Sequence, residues 1–411
     1  MAAYIASHGA MQKRNSGATM NNGRHRFSGA TGTAAAIVVL LVAQAVVPAW
    51  AGAREQAKRL HDRLAGVPAS ESVLTQMATD ISGGNAQAAA YVAMSNKNFY
   101  DVTLKNFAAP WTNRAQSVFV PLNDYTATVI GMVRDDVDFR EVLHGDILYV
   151  SNASGAPAYS AGNNNHYQFL DDNDVDLQAT LTQTTQSSLT GVPAAATAGV
   201  ITTRAAAEAF FIAGTNRAMF RFTMLNHLCR DMDTVMDTTL PPDRVRQDVS
   251  RSPGGDSRIF LNNCIGCHTG MDPLAQAFAY YNFDATSGSI QYTAGQVQPK
   301  YLINSDNFKA GYVTTDDHWD NYWRKGINQQ LGWSSSLAGS GSGAKSMGWE
   351  LANSDAFADC QVKKVFKAVC FRDPGNAADR AEVATIAAAF KSGGYKMKQV
   401  FADAAVYCMG D

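Results

Sequence analysis

Apolar residues recur at helical spacing over most of the chain. Between residues 53 and 66, Ala57, Leu60 and Leu64 fall on one face of a helix that should end at Gly66. The same spacing predicts helices within 70–81, 85–107, 123–144, 203–237, 354–371, 379–390 and 395–408, bounded by glycine, proline or capping residues. Alternating patterns typical of strands are scarce. We therefore expect a mainly α protein.

One stretch departs from this pattern. Residues 151–200 are rich in Asn, Gly, Thr, Ser and Ala and poor in large apolar residues, which favours a long loop or a partly ordered insertion. Farther on, Leu240-Pro-Pro is the clearest boundary signal. The chain is thus expected to form a helical N-terminal domain over 52–235 and a second helical domain with long loops over 236–411.

The first 51 residues have the features of a secretory signal peptide. They contain four basic residues and no Asp or Glu, and an apolar run from Ala34 to Val47 is followed by Pro48 and by Ala49-Trp50-Ala51, a cleavage site of the small-x-small type. Because the run is short for a bilayer span, cleavage after Ala51 is preferred to an uncleaved anchor. We expect a periplasmic or otherwise extracytoplasmic protein with no transmembrane span after cleavage.

Charge narrows the range of partners. Without the four basic residues of the signal, 30 Lys and Arg face 36 Asp and Glu, so the mature chain has a net charge of about −6. This mild acidity argues against nucleic acid as a partner. The sequence also contains no phosphate-binding loop, no repeat and no recognisable pair of nucleophile and base. Any catalysis would therefore depend on a cofactor.

The most specific chemical signal is Cys264-Ile-Gly-Cys267-His268. On a short helix the two cysteines share a face and can each add across a haem vinyl group, while the histidine can bind the iron. This spacing is the attachment pattern of c-type haem. Since such haem is attached outside the cytoplasm, the motif agrees with the export signal. We predict one covalent haem c on Cys264 and Cys267, with His268 as the proximal ligand of the iron.

Three other interpretations of the cysteine pair stay open. A zinc site would need two further ligands at similar spacing, and the sequence has no second pair of this kind. A redox dithiol would open a helix after a strand in a βαβ unit, which the flanking sequence does not favour. A simple disulfide is the third. Pro273, shortly after the motif, is predicted to end its helix.

The other four cysteines are Cys229, Cys360, Cys370 and Cys408. They form an even number, as expected for disulfides in an oxidising compartment. If 354–371 is one helix, Cys360 and Cys370 lie about 15 Å apart, whereas the Cα atoms of a disulfide lie within about 7 Å. These two must then bond to different partners, and one of them ties down Cys408. Buried free thiols are the alternative.

The ligand on the far side of the iron decides what a haem can do. Met271 is too close to His268 in sequence to reach the opposite haem face. We favour Met347, in a Gly-rich stretch over 339–348 that is predicted to be a loop able to approach a flat cofactor. His318 is the second candidate. Both also fit ordinary roles, Met347 in the core and His318 at the surface.

The residues around the motif resemble a known family. Cys264 to Leu274, followed by Phe283-Asp284, is similar to the haem-attachment region of large exported bacterial monohaem proteins, where Cys-x-x-Cys-His precedes Met-Asp-Pro-Leu and then an aromatic residue and Asp. The resemblance covers residues 216–411 and implies a cytochrome c-like helical haem domain and electron transfer. Ala275-Gln-Ala departs from the family's usual Gly-Phe pair, so packing beside the haem is expected to differ.

These features predict an exported monohaem c-type cytochrome that transfers single electrons between extracytoplasmic donor and acceptor proteins. A simple carrier needs far fewer residues, so one alternative is a haem enzyme of peroxidase or oxygenase type with an open sixth iron position. Another is a haem-containing sensor or assembly protein whose N-terminal domain recognises a partner.

Overall fold

Helices make up most of the chain, and the mainly α class is confirmed. The computed structural model describes residues 52–212, 215–245, 257–301 and 311–410, so the predicted signal over 1–51 lies outside the described residues. The helices are α1 (Ala53–Ala65), α2 (Glu71–Ser82), α3 (Ala86–Met94), α4 (Lys105–Ala108), α5 (Asp124–Arg134), α6 (Asn165–Asp172), α7 (Leu177–Thr180), α8 (Gln186–Thr190), α9 (Arg204–Phe210), α10 (Arg217–Leu228), α11 (Ser257–Asn263), α12 (Ile265–Ala275), α13 (Gly343–Ala352), α14 (Asp355–Cys370), α15 (Ala377–Ser392) and α16 (Met397–Cys408).

The described strands form three short antiparallel ribbons. They pair β1 (Leu148–Ser151) with β2 (Leu181–Thr184), β3 (Tyr281–Asp284) with β4 (Ser289–Tyr292), and β5 (His318–Asp320) with β6 (Ser340–Ser342). In the third ribbon His318 lies opposite Ser342 and Asp320 opposite Ser340. Each ribbon packs against helices rather than against another sheet, since a two-stranded ribbon alone buries too little apolar surface to be stable.

Capping residues fix the starts of the main helices where the sequence places them. The Ser70 side chain accepts a hydrogen bond from the Val73 amide at the start of α2, and Ser354 does the same for the Phe357 amide at the start of α14. Asn376 opens α15 with a reciprocal capping box. These contacts satisfy amides that have no partner within the helix, which is why polar residues stand there.

Two predicted helices are interrupted. The helix expected over 85–107 ends at Met94, because the Asn96 side chain accepts from the backbone amide of Asn98 and competes with the helical hydrogen bonds. A π-helical segment, Phe99–Leu104, then leads into α4. The helix expected over 123–144 ends at Arg134. Asp136 follows in the left-handed conformation, which short polar side chains tolerate better than others.

The stretch over 151–200 is more ordered than its composition suggests. It contains α6, α7, α8 and β2, and Tyr167, Leu170, Leu177 and Leu181 are buried. Few as they are, these side chains are spaced closely enough to anchor short helices to the core. Short elements separated by irregular segments agree with the predicted partly ordered insertion better than with a long loop.

A large hydrophobic cluster runs from Ala57 to Ala405, and the described residues belong to one compact unit. Helix α10 packs on both α12 and α14, while α16 packs on α1 and α3. Residues from both sides of position 235 thus share this cluster, and the division there into two domains stays a prediction. No helix among the described residues has the length and hydropathy needed to cross a membrane.

Candidate haem-attachment site

The pairing of the six cysteines separates one pair from the rest. Cys229 bonds to Cys360 and Cys370 to Cys408, with Cα separations of 5.2 and 5.5 Å. Helix α14 is continuous from Asp355 to Cys370, so the prediction that Cys360 and Cys370 have different partners, one of them Cys408, is confirmed. Both bonds are compatible with an oxidising, extracytoplasmic compartment. The two cysteines left free are Cys264 and Cys267, and both are partly exposed.

The helix that carries the motif is held by close packing of its glycine face. Cys264 stands at the start of α12, and its backbone carbonyl accepts from the amides of Cys267 and His268. On the glycine face, Gly266 packs against Met236 and Gly270 against the indole of Trp323, so closely that a side chain would not fit at either position. This packing fixes the orientation of the cysteines and the histidine.

Pro273 does not end this helix, contrary to the prediction. Helix α12 continues to Ala275, and a 3-10 turn, Gln276–Phe278, follows it. Proline removes one backbone donor here, but Leu274 and Phe278 are fully buried beyond it. We attribute the continuation to this burial, which offsets the lost hydrogen bond.

The imidazole of His268 is oriented by a carboxylate one helical turn later. Its Nδ1 lies 3.1 Å from Oδ1 of Asp272, and the guanidinium of Arg217 donates to both oxygens of that carboxylate, at 2.7 and 2.8 Å. Because a carboxylate paired with arginine only accepts hydrogen bonds, Nδ1 of the neutral imidazole carries the proton and Nε2 keeps its lone pair. The Asp272 side chain is fully buried, whereas that of His268 is 18% exposed.

The thiol environment differs from that of a redox dithiol. The Sγ of Cys267 lies 3.4 Å from the backbone oxygen of Met232. Burial, together with Asp233, Cys264 and Asp231, raises the pKa of the Cys267 thiol. Attacking thiols of redox dithiols have lowered pKa values, and the Cys267 thiol does not share that feature. A thiol that stays protonated and reaches the surface is compatible with addition to a vinyl group.

Apolar side chains surround the motif. The ring of Phe260 lies 5.1 Å from that of His268, centroid to centroid, and Phe260 packs in a small cluster with Val245, Cys264 and Ile265. Met236, which packs against Gly266, is 50% exposed, and Ile259 and Leu261, just before the motif in the chain, are 42 and 49% exposed. Exposed apolar groups beside a polar site are common where a protein binds an apolar partner or cofactor.

These residues fit a covalent haem. Two free thiols three residues apart, a histidine whose Nε2 keeps its lone pair, and apolar neighbours are the groups that haem c requires. Among the described residues no group of three or more His, Cys, Asp or Glu side chains is placed to hold a metal ion. A haem iron takes most of its ligands from the porphyrin and needs no such group.

The two candidates for the distal ligand occupy different positions. Met347 is fully buried inside α13, so the prediction that it stands on a loop is wrong. The glycines before it form β6 and the start of the helix instead. His318 lies in β5, which packs against α12. Its side chain is 46% exposed, with Nε2 3.5 Å from Oδ1 of Asp320. Of the two, His318 is the more accessible.

Sequence reasoning missed Asp272 and Arg217. A signal for Asp272 was present, because a carboxylate four residues after the histidine falls on the same helix face. No local signal marks Arg217, which reaches Asp272 from α10 across 55 residues of sequence. Long-range pairs of this kind depend on the tertiary fold.

A comparison of the chain with known protein families, curated proteins and solved structures found no match. The family resemblance of residues 216–411 therefore stays a prediction from the motif, and function has to be argued from the residues of α12 and their neighbours.

Proposed function

We propose that this protein is an exported monohaem c-type cytochrome that transfers single electrons between extracytoplasmic proteins. The observation that carries the proposal is the state of the cysteines. Four of the six are joined in disulfides, and the two that stay free are those of the Cys-x-x-Cys-His motif. A covalent haem c needs two free thiols at this spacing.

In this proposal a haem bound at the site supplies an iron that cycles between two oxidation states. Cys264 and Cys267, at the start of α12, would hold it covalently, and His268 would provide a nitrogen ligand to the iron. Asp272 accepts the Nδ1 hydrogen of His268 and so keeps Nε2 available. Phe260 borders the imidazole and limits access of water to that side.

A specific observation favours a second candidate, a haem enzyme with an open sixth position. A carboxylate that accepts from the Nδ1 hydrogen makes a histidine ligand more basic, and a more basic ligand stabilises oxidised iron. Asp272 is such a partner for His268, although the charge of Arg217 partly offsets its effect. Peroxidase and oxygenase chemistry benefits from this property more than a high-potential carrier does.

An optical experiment tests both candidates. The chain is produced in a host competent for haem c attachment, and spectra of the purified protein are recorded oxidised and reduced, with and without carbon monoxide. We expect haem to stay with the polypeptide after denaturation and the reduced spectrum to be low-spin and indifferent to carbon monoxide.

A spectrum that shifts with carbon monoxide would favour the enzyme over the carrier. Haem that separates from the denatured chain, or no haem at all, would overturn both candidates. If the spectrum is low-spin, substitution of His318 and then of Met347 identifies the ligand, because loss of the true ligand makes the iron high-spin.

A further inference from the structure

A second site lies in a cleft of about 550 Å³ between α4, α10 and α14. Its walls are mainly apolar and include Phe107, Trp111, Leu225 and Ala368. Clefts of a few hundred Å³ with apolar walls and few polar groups are typical of small-molecule sites. The polar group that matters most in this one is the amine of Lys364.

The amine of Lys364 has defined neighbours in the cleft. Its Nζ donates to the backbone oxygen of Asn226 at 2.5 Å and lies 3.0 Å from the centre of the Trp111 ring. Within the described parts of the chain it forms no ion pair with a carboxylate. The neighbouring Lys367 does form one, with Asp373 at 3.1 Å. Lys364 is therefore a half-buried amine in the cleft, and its charge would be stabilised only by a carbonyl and a ring face.

Burial lowers the pKa of Lys364 well below its ordinary value. His227, whose ring lies 5.5 Å from that of Trp111, could add only positive charge if protonated, and its burial lowers its pKa well below the ordinary value. A neutral amine has two hydrogens and one lone pair. The Asn226 carbonyl and the Trp111 ring accept the two hydrogens, which leaves the lone pair for a ligand in the cleft.

We propose that Lys364 is a covalent binding site for a small apolar aldehyde. The Nζ lone pair attacks the carbonyl carbon, a carbon–nitrogen bond forms, and a proton moves from nitrogen to oxygen. The resulting carbinolamine then loses its hydroxyl as water and leaves an imine. The inference does not depend on haem.

The cleft favours this class of ligand for two reasons. The walls around the amine are mainly apolar and include Leu225 and Ala368, so they favour a ligand with an apolar body. Lys367 lines the same cleft three residues after Lys364, on the same face of α14, and its exposed ammonium can supply the proton that the departing hydroxyl requires. A carbonyl compound with an apolar body uses both features.

The test is reductive trapping on the full chain. The protein is incubated at pH 7 with one equivalent of benzaldehyde and sodium cyanoborohydride, and the benzylated lysines are located and quantified by peptide mass spectrometry. We expect Lys364 to be labelled about tenfold or more above the exposed Lys363, because each unit by which a pKa is lowered raises the neutral fraction about tenfold. Lys364→Met should abolish this dominant label, whereas the matched control Lys363→Met should leave it unchanged.

Labelling spread over the exposed lysines, with Lys364 no more reactive than Lys363, would overturn the proposal. This comparison is made within the native protein, so it holds even if Lys364→Met does not fold. A ratio of Lys364 to Lys363 labelling that is equally high when acetaldehyde replaces benzaldehyde would also overturn it, since selectivity for a larger apolar body would then be missing.

Discussion

Asp272 and Asp379 both accept hydrogen bonds from an arginine and from a second side chain, but they lie in different surroundings. Asp272 in α12 accepts from Arg217 and from the imidazole of His268. Asp379 at the start of α15 accepts from Arg372, from the hydroxyl of Tyr407 and from the amide of Gly375. The contacts of Asp379 join helix termini to one another. The contacts of Asp272 include the imidazole of His268, whose Nε2 keeps its lone pair.

The cysteines show the same difference. Cys370 at the end of α14 is bonded to Cys408 at the end of α16, which closes the C-terminal layer. Cys264 and Cys267 are free at the start of α12. The same residue types therefore serve stability in one region and stay available for chemistry in the other. For the cysteines, what separates the two regions is whether a second thiol from elsewhere in the chain is in reach.

Replacement of both motif cysteines should have the largest effect. We expect Cys264→Ala with Cys267→Ala to lose all covalent haem, measured as haem that stays with the chain on a denaturing gel. The matched control is Cys370→Ala with Cys408→Ala, which removes a cysteine pair that is already bonded and should keep the covalent haem. Equal amounts of covalently retained haem in the two variants would show that the motif cysteines do not differ from the bonded pair in this respect.

Removal of the disulfide that closes the longer loop should cost slightly more stability, because the loss grows with the logarithm of loop length. The Cys229–Cys360 bond spans 131 residues and the Cys370–Cys408 bond spans 38. Loop entropy then predicts losses of about 5 and about 4 kcal/mol in the free energy of unfolding. Urea denaturation of the two Cys→Ala double variants measures both values. A larger loss for the shorter loop would mean that local packing, and not chain entropy, dominates.

Substitution at Asp272 should separate its two roles. Asp272→Asn keeps a hydrogen-bond acceptor for His268 but removes the negative charge, so we expect a higher reduction potential of the bound haem. It also leaves the Arg217 guanidinium without this charged partner, which should cost about 2–4 kcal/mol of unfolding free energy.

Arg217→Gln tests the opposite change of charge at the same ion pair. It removes the positive charge that offsets Asp272, so the reduction potential should fall rather than rise. Potentiometric titration of both variants checks the pair. Shifts of the same sign would show that Asp272 acts by holding the fold and not through its charge.

Features that depend on residues close in sequence could mostly be predicted, whereas contacts between distant segments could not. Local spacing and capping located α1, α2 and α14, and the length of α14 alone excluded a bond between Cys360 and Cys370. The motif cysteines and His268 were also found locally. The breaks after Met94 and Arg134 were missed, because single Asn and Asp side chains overrode the apolar pattern. The Arg217–Asp272 contact depends on distant segments, and the sequence has no signal for it.

The smallest expected effect concerns Asp379 and pH. The hydrogen-bonded pairing with Arg372 holds the pKa of this carboxyl well below its ordinary value. A lowered folded-state pKa means that the pairing contributes its full stability above the unfolded pKa of about 4, and loses it as pH falls below that value. The difference in unfolding free energy between the native chain and Asp379→Asn should therefore be constant near neutral pH and shrink as pH falls from about 5 to about 3. Urea titrations at several pH values measure this difference.

The control is Asp373→Asn, whose exposed pair with Lys367 should contribute little at any pH. A difference for Asp379→Asn that stays constant down to pH values of about 3 would mean that the carboxylate acts through its hydrogen-bond geometry, which an amide reproduces, and that its charge does not stabilise the C-terminal layer.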